Sequence, residues 1–335
     1  MLSPKEQVLK KNFEKELQKL GLTPFFGPET AFSQGHRWYT TPCRSSEGKI
    51  FLFKAVIVQN QRENLIHEIY INRFFKKTNI YSELFTQKII KSKISKRMTW
   101  LLLEYIPGRP CGYYFDFYSK ARKERYLEKY VNNFIALQKI STKEPSQVSP
   151  YLVKREIDFY LADLEKNKNN IFSMVREKDY QLALKKLKKN SHLFKASFLV
   201  NGDAALSNHI LGDDGNIYLV DWEQCHLANI ASDLAFLYIQ TWRYPSWRRE
   251  FISAYQRKTP HKDFFKKIFP LMVLYFSLRE ISIALWHFSH SLGKRSALVG
   301  EKWKEINLDK IQTEESLKNH LEAFRIALFN PQNLF

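Results

Sequence analysis

Apolar residues at Val8, Leu9, Phe13, Leu17 and Leu20 recur at near-helical spacing and stop at Gly21, predicting an amphipathic helix over 4–20. The rhythm then changes. Residues 28–58 read as strands and turns, with Trp38–Thr40 and Ile50–Val58 separated by a Ser45-Ser46-Glu47-Gly48 turn. A helix is predicted at about 61–77, then strand runs near Leu84–Ile90 and Thr99–Tyr105. Past Pro107-Gly108, helical periodicity dominates over 120–140, 154–168 and 177–191. A short strand-rich stretch at 197–221 interrupts it before helices at 246–257, 264–290 and 313–329. The pattern predicts an α+β chain: a helix over 1–21, a β-rich unit over 22–106 and a mostly helical unit over 107–335. The break near Ile106–Pro110 is its hinge.

One apolar run, Ile268 to Phe288, is long enough to suggest a membrane span, but Arg279 and Glu280 sit at its middle. Each charge at that depth costs about 2.5 kcal/mol or more, so a buried core helix is expected and no transmembrane segment. The N-terminus has no apolar stretch of the signal-peptide kind. Cys43, Cys111 and Cys225 lie far apart without metal-ligand spacing, which points to reduced thiols and a cytoplasmic protein. The formal net charge is +19, yet the lysines are spread over 76–77, 91–97, 185–189 and 262–267 rather than gathered in one stripe with interleaved aromatics. That spread disfavours a nucleic-acid partner. Peripheral contact with a membrane surface stays compatible with it.

The chemistry gathers in Leu199-Val-Asn-Gly-Asp-Ala-Ala-Leu-Ser-Asn-His-Ile-Leu211 and Ile217-Tyr-Leu-Val-Asp-Trp-Glu223. Asp203 and Asn208 are five residues apart, and Asp221 follows thirteen later. The Gly212-Asp-Asp-Gly-Asn216 turn joins two apolar runs into a hairpin, which sets Asn208 at the start of one strand and Asp221 at the end of the other. Both side chains then converge beside Asp203. Singly, each has a structural reading: a turn or cap for Asp203, a strand-edge amide for Asn208, a helix cap for Asp221. Together they suit phosphoryl transfer, because Mg²⁺ takes one or two protein oxygens and draws the rest from nucleotide phosphates. In that reading Asp221 and Asn208 are metal ligands, and Asp203 orients the attacking hydroxyl.

These segments resemble the aminoglycoside phosphotransferase and choline kinase superfamily, whose catalytic loop reads H-G-D-x-x-x-x-N and whose metal motif often reads D-W-E. Here they are Asn201-Gly202-Asp203…Asn208 and Asp221-Trp222-Glu223, followed by Asp233-Leu234-Ala235. The resemblance implies a protein-kinase-like two-lobed fold with a small β-rich N-lobe, a larger helical C-lobe, and ATP and Mg²⁺ between them. It implies a phosphate-gripping lysine at Lys54, alone in the apolar strand Phe51–Val58, paired with Glu68 rather than Glu63. A lysine snorkelling at a strand edge is the structural alternative. Leu52 is then expected over the adenine, with backbone near Glu104–Ile106 as its hydrogen-bonding edge. Asp233 is expected to cap a helix and brace the catalytic loop. Two departures stand out: Asn201 replaces the loop histidine, and only Gly27 and Gly35 offer a phosphate-covering turn, around Ser33–Arg37.

A protein kinase would carry a lysine two positions after the catalytic aspartate, where this chain has Ala205, and a long activation segment ending in A-P-E. The acceptor is therefore expected to be a small-molecule hydroxyl, such as a sugar, nucleoside, amino alcohol or glycolipid headgroup. Net charge argues against a polycationic acceptor over the Debye length of about 8 Å. Tyr238, Trp242, Tyr244 and Trp247 read either as an aromatic cage for a single cation or as packing. The rival class is a catalytically inactive kinase-like binding module, which has no need for all of Lys54, Glu68, Asp203, Asn208 and Asp221.

Overall fold

The computed structural model describes residues 4–24, 38–56, 62–95, 98–111, 119–140, 148–294 and 308–335. Helix α1 (Pro4–Lys19) leads into five antiparallel strands: β1 (Leu22–Pro24), β2 (Trp38–Ser45), β3 (Ile50–Val56), β4 (Ile89–Lys93) and β5 (Trp100–Glu104). Their order in the sheet is β1-β2-β3-β5-β4. Helix α2 (Arg62–Thr78) connects β3 to β4. Alternation along β3 and β5 gives the sheet two apolar faces. Phe53, Ala55, Trp100 and Leu102 pack with Phe13 and Leu17 of α1, while Val56, Leu101 and Leu103 pack with Leu65 and Ile69 of α2. The leading helix therefore covers the back of the sheet.

The expected strand at Leu84–Ile90 is displaced: pairing begins at Ile89 and runs to Lys93. Residues before it are drawn toward the helical half instead. The Phe85 N–H donates to Asn133 Oδ1 at 3.2 Å, and Thr86 makes a parallel bridge with Leu219. Apolar residues at 84–89 gave a strand signal that these contacts override.

Strand β6 (Gly108–Pro110) follows the hinge, then α3 (Lys120–Gln138), α4 (Ile157–Lys166), α5 (Lys168–Phe172) and α6 (Glu177–Lys189). Next come β7 (Phe198–Val200), β8 (His209–Gly212), β9 (Ile217–Leu219) and β10 (His226–Ala228). The chain closes with α7 (Ser232–Gln240), α8 (Pro245–Lys258), α9 (Lys262–Lys294) and α10 (Leu308–Phe329). By length and composition α9 passes for a membrane span, but 78% of that window is buried inside the protein. It is the axis of the helical core, packing Leu271, Met272, Leu274 and Leu278 against Phe236 and Leu237 of α7.

Candidate active site

The segment between β7 and β8 is fixed by a buried carboxylate. Asp233 in the first turn of α7 accepts the Asn201 N–H at 2.7 Å and the Gly202 N–H at 3.0 Å, so it braces the loop as expected, although Ala231 holds the capping position. Burial pushes its acid up to about 6, against the pull of those two N–H groups. Gly202 passes through the loop at φ +82°, a left-handed conformation that glycine adopts without strain.

Asn201 does more than stand in for an imidazole. Its Oδ1 accepts the Asp203 N–H at 3.2 Å, while Nδ2 donates to the carbonyls of Val220 and Asp221, both at 3.3 Å. One carboxamide thus spans the catalytic loop and the turn that carries Asp221. A neutral imidazole has one donor and one acceptor and could not make all three bonds. Asp221 itself holds φ 63°, ψ 77°, rare for a non-glycine residue and costing about 1–3 kcal/mol unless its surroundings enforce it. The Val220 N–H bond to the Asn208 carbonyl and the buried Trp222 ring supply that enforcement. Trp222 Nε1 donates to Thr86 Oγ1 at 2.8 Å, and its ring stands edge-on to Phe75 of α2.

Asn208 follows the hairpin geometry read from its spacing. Its Nδ2 donates to the Asp203 carbonyl at 2.8 Å and to Asp203 Oδ2 at 3.1 Å, which turns the amide oxygen the other way. From β3, Lys54 Nζ reaches Glu68 Oε2 and Asp221 Oδ1, both at 2.8 Å, with Glu223 Oε2 at 3.9 Å. Lys54 is 7% exposed and Glu68 2%, so this is a buried pair, while Glu63 is exposed on the outer face of α2. Burial opposes the lysine's charge, but Asp221, Glu68 and Glu223 outweigh it and raise its pKa. Neighbouring His67 ties α2 to the segment after the metal motif. Its Nε2 donates to the Cys225 carbonyl at 2.6 Å and its Nδ1 accepts from Ser149 Oγ at 2.7 Å.

Three carboxylates, Glu68, Asp221 and Glu223, offer oxygens within 4.8 Å of one another around one lysine. This hard-oxygen set, with the outward amide oxygen of Asn208, suits Mg²⁺. Leu52 lies on the Lys54 face of β3, half-buried against the α2-side cluster. At the hinge, the Glu104 N–H is used by the Lys88 carbonyl and its carbonyl accepts Gln87 Nε2, whereas β5 ends before Ile106. The expected phosphate-covering turn, with Gly27, Ser33, Gly35 and Arg37, lies outside the described residues.

The aromatic group after the metal motif is packing. Arg248 lies over Trp242 at 3.8 Å and Tyr238 at 4.8 Å, Lys123 over Tyr244 at 4.2 Å, and Trp247 stacks on Phe251. The cations in that cage are the protein's own.

Sequence reasoning missed a second charged group that interacts electrostatically with Asp203. Arg279 and Glu280 of α9 pair at 3.2 Å, Tyr275 donates to Asp163 at 2.7 Å, and the Asp203 charge acts on both members of the pair. The signal was present as two charges in an apolar helix, read only as evidence against a membrane span. Burial, with Asp203 and Asp163 adding, pushes Glu280 up to about 7 despite Arg279. The folded state therefore holds this proton between about pH 4.5 and 7 where the unfolded chain has released it. Stability should fall as pH rises through that window, by roughly 3 kcal/mol in total. Glu280→Gln should match the wild type near the lower limit and exceed it above the upper one. Urea unfolding at both pH values measures this, and parallel pH profiles would refute it.

Residues 83–265 match the model of the phosphotransferase enzyme family. The chain belongs to that family. It is an enzyme of the kinase type, with the two-lobed α+β fold that its motifs implied. Among solved structures, choline kinase LicA from Streptococcus pneumoniae is similar at 13% identity and TM-score 0.58, covering 93% of this chain and 98% of its own. The gentamicin complex of APH(2")-IIa is similar at 13% identity and TM-score 0.61, covering 97% and 99%. A GDP complex of wild-type aminoglycoside 2'-phosphotransferase-IIIa is similar at 10% identity and TM-score 0.59, with the same coverage. No curated protein matches the sequence significantly.

The argument from net charge against a polycationic acceptor does not stand. A protein of the same fold is in complex with gentamicin.

Proposed function

We propose that this phosphotransferase moves the γ-phosphoryl group of ATP to a hydroxyl of a small-molecule acceptor, with Mg²⁺ as its metal. The observation that carries the reading is the meeting of Lys54, Glu68 and Asp221, from three distant segments, at 2.8 Å. Lys54 would hold the nucleotide phosphates, with Glu68 keeping its ammonium in place. Leu52 would cover the adenine, whose polar edge meets the Glu104 carbonyl and the Ile106 main chain. Asp221 and Asn208 would hold the metal, whose charge would offset the negative charge developing on the transferred phosphoryl group.

Asp203 accepts a hydrogen bond from the acceptor hydroxyl and sets its oxygen in line with the γ-phosphorus. As the new O–P bond forms, the bond to the bridging oxygen of ADP breaks and the hydroxyl proton passes to the Asp203 carboxylate. Arg279 and Glu280, which interact electrostatically with Asp203, would act on the acceptor's other polar groups, and sugar-like or amino-substituted polyols suit such a mixed pair. The setting proposed is the cytoplasm, where ATP is available and the three buried thiols stay reduced.

The test is thermal stability with and without Mg²⁺·ATP. Ligand at about 100 times its Kd adds about 2.7 kcal/mol and an upward shift in Tm. Asp221→Ala should lose the metal-dependent part of that shift. No shift with ATP or GTP in the wild type would overturn the reading, and a positive result leads to screening polyol and amine-bearing acceptors by ADP release.

A further inference from the structure

A groove of about 500 Å³ lies where the start of α6 meets the end of α10, on a part of the surface that shares no residue with the active site. Met174, Leu321, Phe324 and Phe329 give it an apolar lining, and Arg176 and Arg325 stand at its rim. Lys186 Nζ donates to the carbonyls of Ala327 and Leu328 at 3.0 and 3.1 Å, which fixes α6 alongside the last turn of α10. Asp179 also lines the groove. Leu182 falls between Asp179 and Lys186 at helical spacing, so it runs along the groove's edge. Leu182 is 45% exposed, Met174 40% and Phe329 50%, an apolar strip of two groove-lining residues with Leu182 on the adjoining helix edge.

The surroundings of the strip are basic. Lys178, Lys185 and Lys189 stand four residues before, three after and seven after Leu182, with Lys188 beside them, and all four are exposed. None of the four pairs with a carboxylate among the described residues, whereas Asp179 is already tied to Arg176 at 2.7 Å. Like charges at this spacing repel one another and weaken the helix that carries them. An apolar strip beside a helix carrying unpaired lysines matches a surface that is anionic outside and apolar beneath. Nucleic acid fits less well, since binding along a strand uses successive stacking rings, and Phe329 is the one aromatic in the exposed strip.

We infer that this face docks on an anionic membrane surface, with Lys178, Lys185, Lys188 and Lys189 against lipid phosphates and Leu182, Met174 and Phe329 entering the headgroup boundary. The inference does not depend on the proposed chemistry. It brings the enzyme to a bilayer by charge and shallow insertion, while α9 stays in the core.

Co-sedimentation of the full-length protein with vesicles tests it, using phosphatidylcholine alone and phosphatidylcholine mixed with phosphatidylglycerol. Binding is expected only to the anionic vesicles and should weaken as salt is raised. Lys185→Glu with Lys189→Glu should lower it roughly tenfold or more, with an unchanged Tm. Leu182→Gln with Phe329→Ser should weaken binding without changing its salt dependence. The control is Lys76→Glu with Lys77→Glu at the exposed end of α2, which changes the net charge equally and should bind as the wild type. Equal losses from both lysine pairs would mean that total charge, not this face, is responsible, and would overturn the inference. So would absence of binding to anionic vesicles, or binding to a single-stranded RNA oligonucleotide with none to vesicles.

Discussion

Replacing Asp203 by alanine should stop phosphoryl transfer and leave Mg²⁺·ATP binding close to that of the wild type. The two halves of this expectation have separate origins. The backbone of the catalytic loop is held by Asp233 and by the Asn201 amide, neither of which requires the Asp203 carboxylate. Lys54, Glu68 and Asp221 likewise meet without it. What disappears is the group that orients the acceptor and takes its proton, a contribution of roughly 10² to 10⁴ in rate. Asn208 loses one of its two bonds to Asp203 but keeps the one to the main-chain carbonyl, so the metal side should shift little. Folding stability should change by less than about 1 kcal/mol, since the side chain is only partly buried. Turnover by ADP release, nucleotide affinity and urea unfolding together check the expectation. Wild-type turnover in the variant would remove Asp203 from its assigned role.

How far the site could be read in advance depended on whether each contact is local. Asp203, Asn208 and Asp221 lie in one short loop-and-hairpin unit, in which Asn208 bonds Asp203 directly and Asp221 is tied to the loop through the Asn201 amide. The Lys54–Glu68 pair was legible because a lone lysine in an apolar strand is costly to bury without a partner. The electrostatic coupling of Arg279 and Glu280 to Asp203 was not legible. It depends on how α9 crosses the helical core, more than seventy residues after the loop, and no periodicity reports that. The Tyr238–Trp247 segment left a cage and packing both open, and Arg248 over two of the rings decides for packing. The misplaced strand at Leu84–Ile90 has the same origin, because Asn133 and Leu219 draw that segment away from the sheet. Asn201 was visible only as a replacement for the loop histidine, because its reach to the Asp221 carbonyl needed the hairpin to be folded back beside it.

Gly202→Ala should be as damaging to activity as the loss of Asp203, and unlike it should also destabilise the protein. A Cβ at this position would lie 2.1 Å from the Gln224 carbonyl oxygen and 2.6 Å from His226 Nδ1. The carbonyl belongs to the backbone between the metal motif and β10, so no flexible side-chain end can swing aside. The left-handed backbone at φ +82° adds about 1–2 kcal/mol for any residue with a Cβ. Moving the loop away to relieve the clash would break the bonds from Asn201 and Gly202 to Asp233. That would leave a buried carboxylate short of donors, at about 1–3 kcal/mol. The total is roughly 3 kcal/mol or more, enough to lower Tm by several degrees. Because the same displacement pulls Asn201 off the Asp221 carbonyl, metal-dependent nucleotide binding should weaken as well, which Asp203→Ala does not do. The two variants therefore separate the chemistry of the loop from its support. A Gly202→Ala protein with normal Tm and turnover would mean that the close approach of this loop to residues 224–226 is not what holds Asp203 in position.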